Sequence, residues 1–157
     1  SRIAHMDATG VDVQVLSFGA PGTQIFEADV AIPMARDANE KMYAAMQAYP
    51  GRFEAFAALA TADPEAAADE LERTVVDWGF KGTMLNGHQR GEFLDKKKFW
   101  PIFERAAKLD VPVYLHPTYP PLEIVKCYFD EYEDLARAAH GFQIDTSTQF
   151  LRMVFSG

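Results

Sequence analysis

Four short apolar runs, VDVQVLSF, RFEAFAALA, FKGTMLNG and VPVYLH, recur along the chain at intervals of roughly 30 to 40 residues, with a helix-like stretch between each pair. Antiparallel strands can follow one another through a tight turn, whereas parallel strands need a crossover, usually a helix. The runs are close to continuously apolar rather than strictly alternating, which predicts strands covered on both faces. The class is therefore α/β with a parallel sheet. Half of an eightfold barrel and an open doubly wound sheet both satisfy this pattern, and pattern alone does not choose between them.

The intervening stretches carry helix signals of their own. A first helix is predicted to end at Gly10, and a long one runs from about Asp29 to Ala48, with Ala31, Ala35, Ala38, Met42, Ala45 and Met46 on one face and Pro33 in the first turn. Asp63-Pro64-Glu65 combines an N-cap, a proline at the first helical position and an early carboxylate, so a helix is predicted to start there and to run to Gly79 with Leu71, Val75 and Trp78 inward. Phe99, Ile102, Phe103, Ala106 and Leu109 mark another between Lys98 and Leu109. Near the end, a charged excursion spans Leu122 to Ala139, and Asp145-Thr146-Ser147-Thr148 precedes the apolar positions of a last helix.

Charge and composition narrow the chemistry. With 157 residues, 48% of them hydrophobic, the chain has enough apolar material for one domain with a real core. A net charge of -8, with basic residues bunched only at Lys96-Lys97-Lys98, opposes nucleic acid as a partner. One cysteine, Cys127, allows no internal disulfide, and no run is long and apolar enough to span a bilayer, so no membrane partner and a cytoplasmic address are expected. Residues 1–157 read as a single partial domain. No G-x-G-x-x-G or G-x-x-x-x-G-K-[ST] follows any strand, which weakens a nucleotide site.

Both parallel architectures place ligands at the carboxyl ends of their strands. Those ends carry Ser17 and Gly19, Thr61, Asn86 with His88, and His116. An imidazole offers a metal one nitrogen, and an amide both donates and accepts hydrogen bonds. If His116 points into a barrel, the twofold strand period also turns Tyr114 inward and sends Val113 and Leu115 to the helices. Against this stand plainer readings: a hydrogen-bonded structural His116, a turn at Asn86-Gly87, a solvated His88, and surface positions for His5 and His140. There is no H-x-H, H-E-x-x-H or C-x-x-C, so a complete metal site needs ligands beyond this segment.

The segments RIAHMDATGVDVQVLSFGAPG, PGRFEAFAALATADPEAAADELERTVVDWGFKGTMLNG and FWPIFERAAKLDVPVYLHP, in that order, resemble the amidohydrolase-2 branch of the amidohydrolase superfamily. The likeness is to its decarboxylases of gamma-resorcylate, 5-carboxyvanillate and aminocarboxymuconate semialdehyde. The resemblance implies a metal-dependent (β/α)8 barrel, of which this chain would supply about strands 2 to 5, with the first strand and the C-terminal strands absent. It implies His116 as the metal-binding histidine of the fifth strand, and Asn86 and Gly19 as residues bordering the substrate. The metal implied is zinc or manganese, and the proton donor implied is an eighth-strand aspartate outside the chain. The function implied is non-oxidative decarboxylation of an aromatic or related unsaturated carboxylic acid, with a homo-oligomer expected. Hydrolysis of a lactone, ester or amide on the same scaffold, or an inactive interaction module, are the alternatives. The segment alone is expected to catalyse nothing.

Overall fold

Parallel pairing arranges the strands in the order in which the chain makes them. The computed structural model describes residues 1–157 as α1 (Arg2–Thr9), β1 (Gln14–Leu16), α2 (Ala28–Ala48), β2 (Phe53–Ala55), α3 (Pro64–Trp78), β3 (Thr83–Leu85), α4 (Trp100–Lys108), β4 (Val113–Leu115), α5 (Leu122–Tyr128) and α6 (Gly141–Ser156). Strand β1 pairs with β2 (Val15 opposite Glu54) and β3 with β4 (Met84 opposite Tyr114), both parallel. A parallel bridge from Ala57 to Thr83 joins the two pairs into one run.

This order decides between the two architectures. A doubly wound sheet reverses its strand order partway and carries helices on both faces. Here each strand follows its predecessor and the helices collect on one face. Leu16, Ala55, Ala57, Leu85, Val113 and Leu115 pack with Ala31 and Ala35 of α2, Leu71 of α3, and Ile102 and Ala106 of α4 in a single core. The arrangement is an arc of a (β/α)8 barrel wall. On the other face Val15 and Tyr114 are half exposed, and Tyr114 stacks on Phe56 with ring centroids 6.4 Å apart. The expectation of cover on both faces thus holds for one face only, because the inner side of a barrel wall packs chiefly against strands across the barrel.

Local chemistry explains the helix limits. The Asp63 side chain accepts a hydrogen bond from the Ala66 N–H at 3.1 Å, Pro64 occupies the first turn, and Gly79 closes α3 at φ 73°. We expect Asp63→Ala to cost about 1 kcal/mol, read as a lower urea midpoint at unchanged slope. Helix α2 begins at Ala28, so Pro33 lies in the second turn rather than the first. The hydrogen bond it forfeits is to the Asp29 carbonyl on an exposed face, where water can replace it. Helix α6 starts at Gly141, four residues before Asp145, and the backbone there presses so close to Ala136 that any side chain would collide. Asp145 is therefore inside a helix and only 2% exposed, not at a helix start.

Candidate active site

The loops that leave the carboxyl ends of the strands carry buried polar side chains, which must find partners within the protein. They find them in one another. The Thr23 hydroxyl, after β1, donates to the Leu59 carbonyl at 2.5 Å. Thr61, after β2, donates to Gln89 Oε1 at 2.6 Å, and Gln89 Nε2, after β3, donates to the Phe26 carbonyl at 3.2 Å. Thr23, Thr61 and Gln89 are all buried. Three loops are thereby held as one rigid rim, the condition under which side chains keep a productive geometry.

His116 follows β4 and is seated in the ladder by its backbone N–H, which donates to the Leu85 carbonyl at 2.8 Å. The strand alternation is as expected: Val113 and Leu115 meet the helix-side core, while Tyr114 and His116 share the opposite face with ring centroids 6.3 Å apart. The His116 Nδ1 lies 2.7 Å from the Pro117 carbonyl. A carbonyl only accepts, so Nδ1 carries the ring proton and the Nε2 lone pair is left free. That is the tautomer of a metal-binding imidazole oriented by a backbone carbonyl. The residues present fit one nitrogen donor for a divalent metal. No group of three or more His, Cys, Asp and Glu side chains comes together elsewhere in the chain to hold one.

Asn86 ends β3 and is 3% exposed. Its Nδ2 makes one long hydrogen bond, 3.4 Å, to the Phe18 carbonyl, and its Oδ1 is buried without a partner. The turn falls on Gly87, which takes the left-handed conformation at φ 77°, while the Asn86 side chain is buried beside the loop after β1. Gly19 lies exposed in the loop after β1, with nothing close to where a Cβ would stand. The demanding glycine of that loop is Gly22, at φ 63°, where a Cβ would overlap the Asn86 amide and approach Gln24 Oε1 at 2.8 Å. Sequence reasoning missed Gly22, and the Pro21-Gly22 turn dipeptide was the available signal.

His88 is half-buried rather than solvated. Its Nδ1 accepts the Gly91 backbone N–H at 2.8 Å, and its Nε2 is buried with no partner. Asp145 reaches the same cluster from α6, and both of its carboxylate oxygens lack partners. Burial pushes its carboxyl above the ordinary range, partly offset by His88 and by the Thr118 backbone N–H, which comes near without completing a hydrogen bond. The remaining candidates are surface features. His5, His140 and Cys127 are exposed, and Lys96 and Lys98 both hydrogen-bond Glu92, holding its carboxyl down at about 2. No helix is long and apolar enough to cross a membrane.

Comparison with known proteins bears on the family and the fold. The family model described as Amidohydrolase (Amidohydro_2) matches residues 1–155. The gamma-resorcylate decarboxylase of Rhizobium sp. (strain MTP-10005) is 38% identical over 164 residues, covering 100% of this chain and 50% of that protein. Among solved structures, a 2,6-dihydroxybenzoate decarboxylase from Rhizobium superposes with a TM-score of 0.93 at 37% identity, covering 100% of this chain and 50% of the other. A 5-carboxyvanillate decarboxylase from Novosphingobium aromaticivorans, solved with bound manganese, superposes with a TM-score of 0.92 at 37% identity, covering 98% of this chain and 44% of the other. The chain spans about half the length of the curated relatives it matches.

Proposed function

The chain belongs to the amidohydrolase family, and from that premise we propose that it forms part of a metal-dependent, non-oxidative decarboxylase acting on an aromatic carboxylic acid. The observation that carries this reading is the free Nε2 of His116 at the carboxyl end of β4, on the face away from the helices. The manganese bound in the related 5-carboxyvanillate decarboxylase, and the aromatic acids named for the relatives, support it.

A divalent metal, manganese or zinc, would supply Lewis acidity when bound. His116 would be one of its ligands, kept in the right tautomer by the Pro117 carbonyl. The buried Asn86 amide is assigned to orient the substrate, its Oδ1 having no partner within the chain. Gly19 borders the same opening from the loop after β1. Phe56 and Tyr114, stacked on the inner face, offer an apolar wall. In the balanced reaction a proton is added to the ring carbon, the bond to the carboxyl breaks, and its electron pair returns to the ring as carbon dioxide leaves. The proton is assigned to the family's eighth-strand aspartate. A homo-oligomer is part of the same proposal.

The test is carbon dioxide release by the full-length protein from 2,6-dihydroxybenzoate and 5-carboxyvanillate, with and without a chelator. Metal-dependent release from either is the expected result. Hydrolysis of lactones with no release from any hydroxybenzoate would replace this reading by the hydrolase one. Within the proposal, Asn86→Ala is expected to lower kcat/KM by about ten- to a hundredfold, the worth of one well-placed hydrogen bond to a charged ligand, with metal content unchanged.

A further inference from the structure

Asp145 has no part in the chemistry assigned so far, yet it is the least comfortable side chain in the molecule. It lies in the second turn of α6, 2% exposed, with neither carboxylate oxygen hydrogen-bonded. A bare buried carboxylate is strongly unfavourable unless a donor meets it. A matching donor lies in the same cluster, close enough to act on the carboxylate through space but not hydrogen-bonded to it as the side chains stand. Because His88 Nδ1 accepts the Gly91 N–H, the ring proton sits on Nε2, and that N–H is buried without an acceptor. The residue between Asn86 and His88 locates the pair: a Cβ on Gly87 would collide with Thr118 and stand 3.2 Å from Asp145 Oδ2. The loop after β3, the loop after β4 and helix α6 thus converge at one point.

We propose that Asp145 is a positioning residue, whose carboxylate accepts the His88 Nε2–H and so ties the loop carrying Asn86 to helix α6 beside the loop carrying His116. Asp145 touches neither substrate nor metal. It acts on Asn86 through two residues of backbone, keeping the amide aimed inward while the unpaired Oδ1 engages substrate. The effect on turnover rests on the substrate-facing role given to Asn86 above, whereas the pairing itself does not.

The experiment uses the full-length enzyme loaded with manganese, with 2,6-dihydroxybenzoate as the probe, and compares Asp145→Ala, Asp145→Asn, His88→Phe and the Ala/Phe double variant. Asp145→Ala and His88→Phe are each expected to lower kcat/KM about tenfold, the lower range for groups that orient others, with manganese content and unfolding temperature held. Asp145→Asn keeps an oxygen acceptor and is expected to recover most of the loss. The double variant is expected to be no worse than the weaker single one. Losses that multiply in the double variant, or single variants with wild-type kinetics, overturn the pairing. If the variants do not fold, the wild-type imidazole spectrum decides: a downfield, slowly exchanging proton on His88 Nε2 supports the proposal, and a proton on Nδ1 refutes it. Wild-type enzyme that releases no carbon dioxide refutes the reaction and leaves the pairing to that spectrum.

Discussion

Full-length protein carrying His116→Ala is expected to be purified with little or no bound manganese or zinc and to lose at least about a hundredfold in decarboxylation, since even groups that merely orient metal ligands cost up to that much. The fold should survive. The imidazole makes one side-chain hydrogen bond, to the adjacent Pro117 carbonyl, and is only partly buried, so its removal opens no core cavity. Metal content by atomic spectroscopy and carbon dioxide release measured on the same preparation check the expectation. A variant with full metal occupancy and unchanged turnover would remove His116 from the ligand set and with it the main support for the proposed chemistry.

Asn39→Leu is expected to have the largest effect on stability, about 3 kcal/mol or more. Asn39 is fully buried in α2. Its amide donates to the Ala58 carbonyl at 2.9 Å and to Glu70 Oε1 at 2.8 Å, while its Oδ1 accepts the Ala58 N–H at 2.8 Å. One side chain therefore satisfies the backbone beyond β2 at both its donor and its acceptor, and helps hold a carboxylate that is 5% exposed. Glu70 also receives Arg73, at 2.9 and 2.6 Å, so the network joins α2, α3 and the strand extension. A leucine would leave the Ala58 groups unpaired and strip one donor from a buried charge. Urea unfolding of the two proteins measures the difference, and a change below about 1 kcal/mol would show that the site relaxes to recover these bonds.

Asn39 and Asp145 also show where sequence reading stops. The helix face predicted for α2 is the buried one, with Ala31, Ala35 and Met42 at 0, 1 and 9% exposure, but the asparagine among them is invisible to an apolar pattern. Its partners Ala58 and Glu70 lie 19 and 31 residues away, and nothing in the spacing announces them. His88 is similar. As a loop residue it reads as solvated, yet its Nε2 is buried, with Phe93 edge-on to the ring and Asp145 of α6 in the same cluster.

What the amino-acid order determined alone was everything local or periodic: the alternation of strands and helices, the Asp63 cap, the stripe through Phe99, Ile102 and Ala106, and the placing of Asn86 and His116 where strands end. Those signals depend on neighbours a few residues apart, and the backbone periods of helix and strand are enough to decode them. The tertiary structure alone decided strand order and the convergence of Gly22, Asn86, Gly87, His88 and Asp145 into one buried polar cluster. Each of these is a contact between segments distant in the chain, and its strength comes from the loss of water around groups that are well solvated until the segments meet.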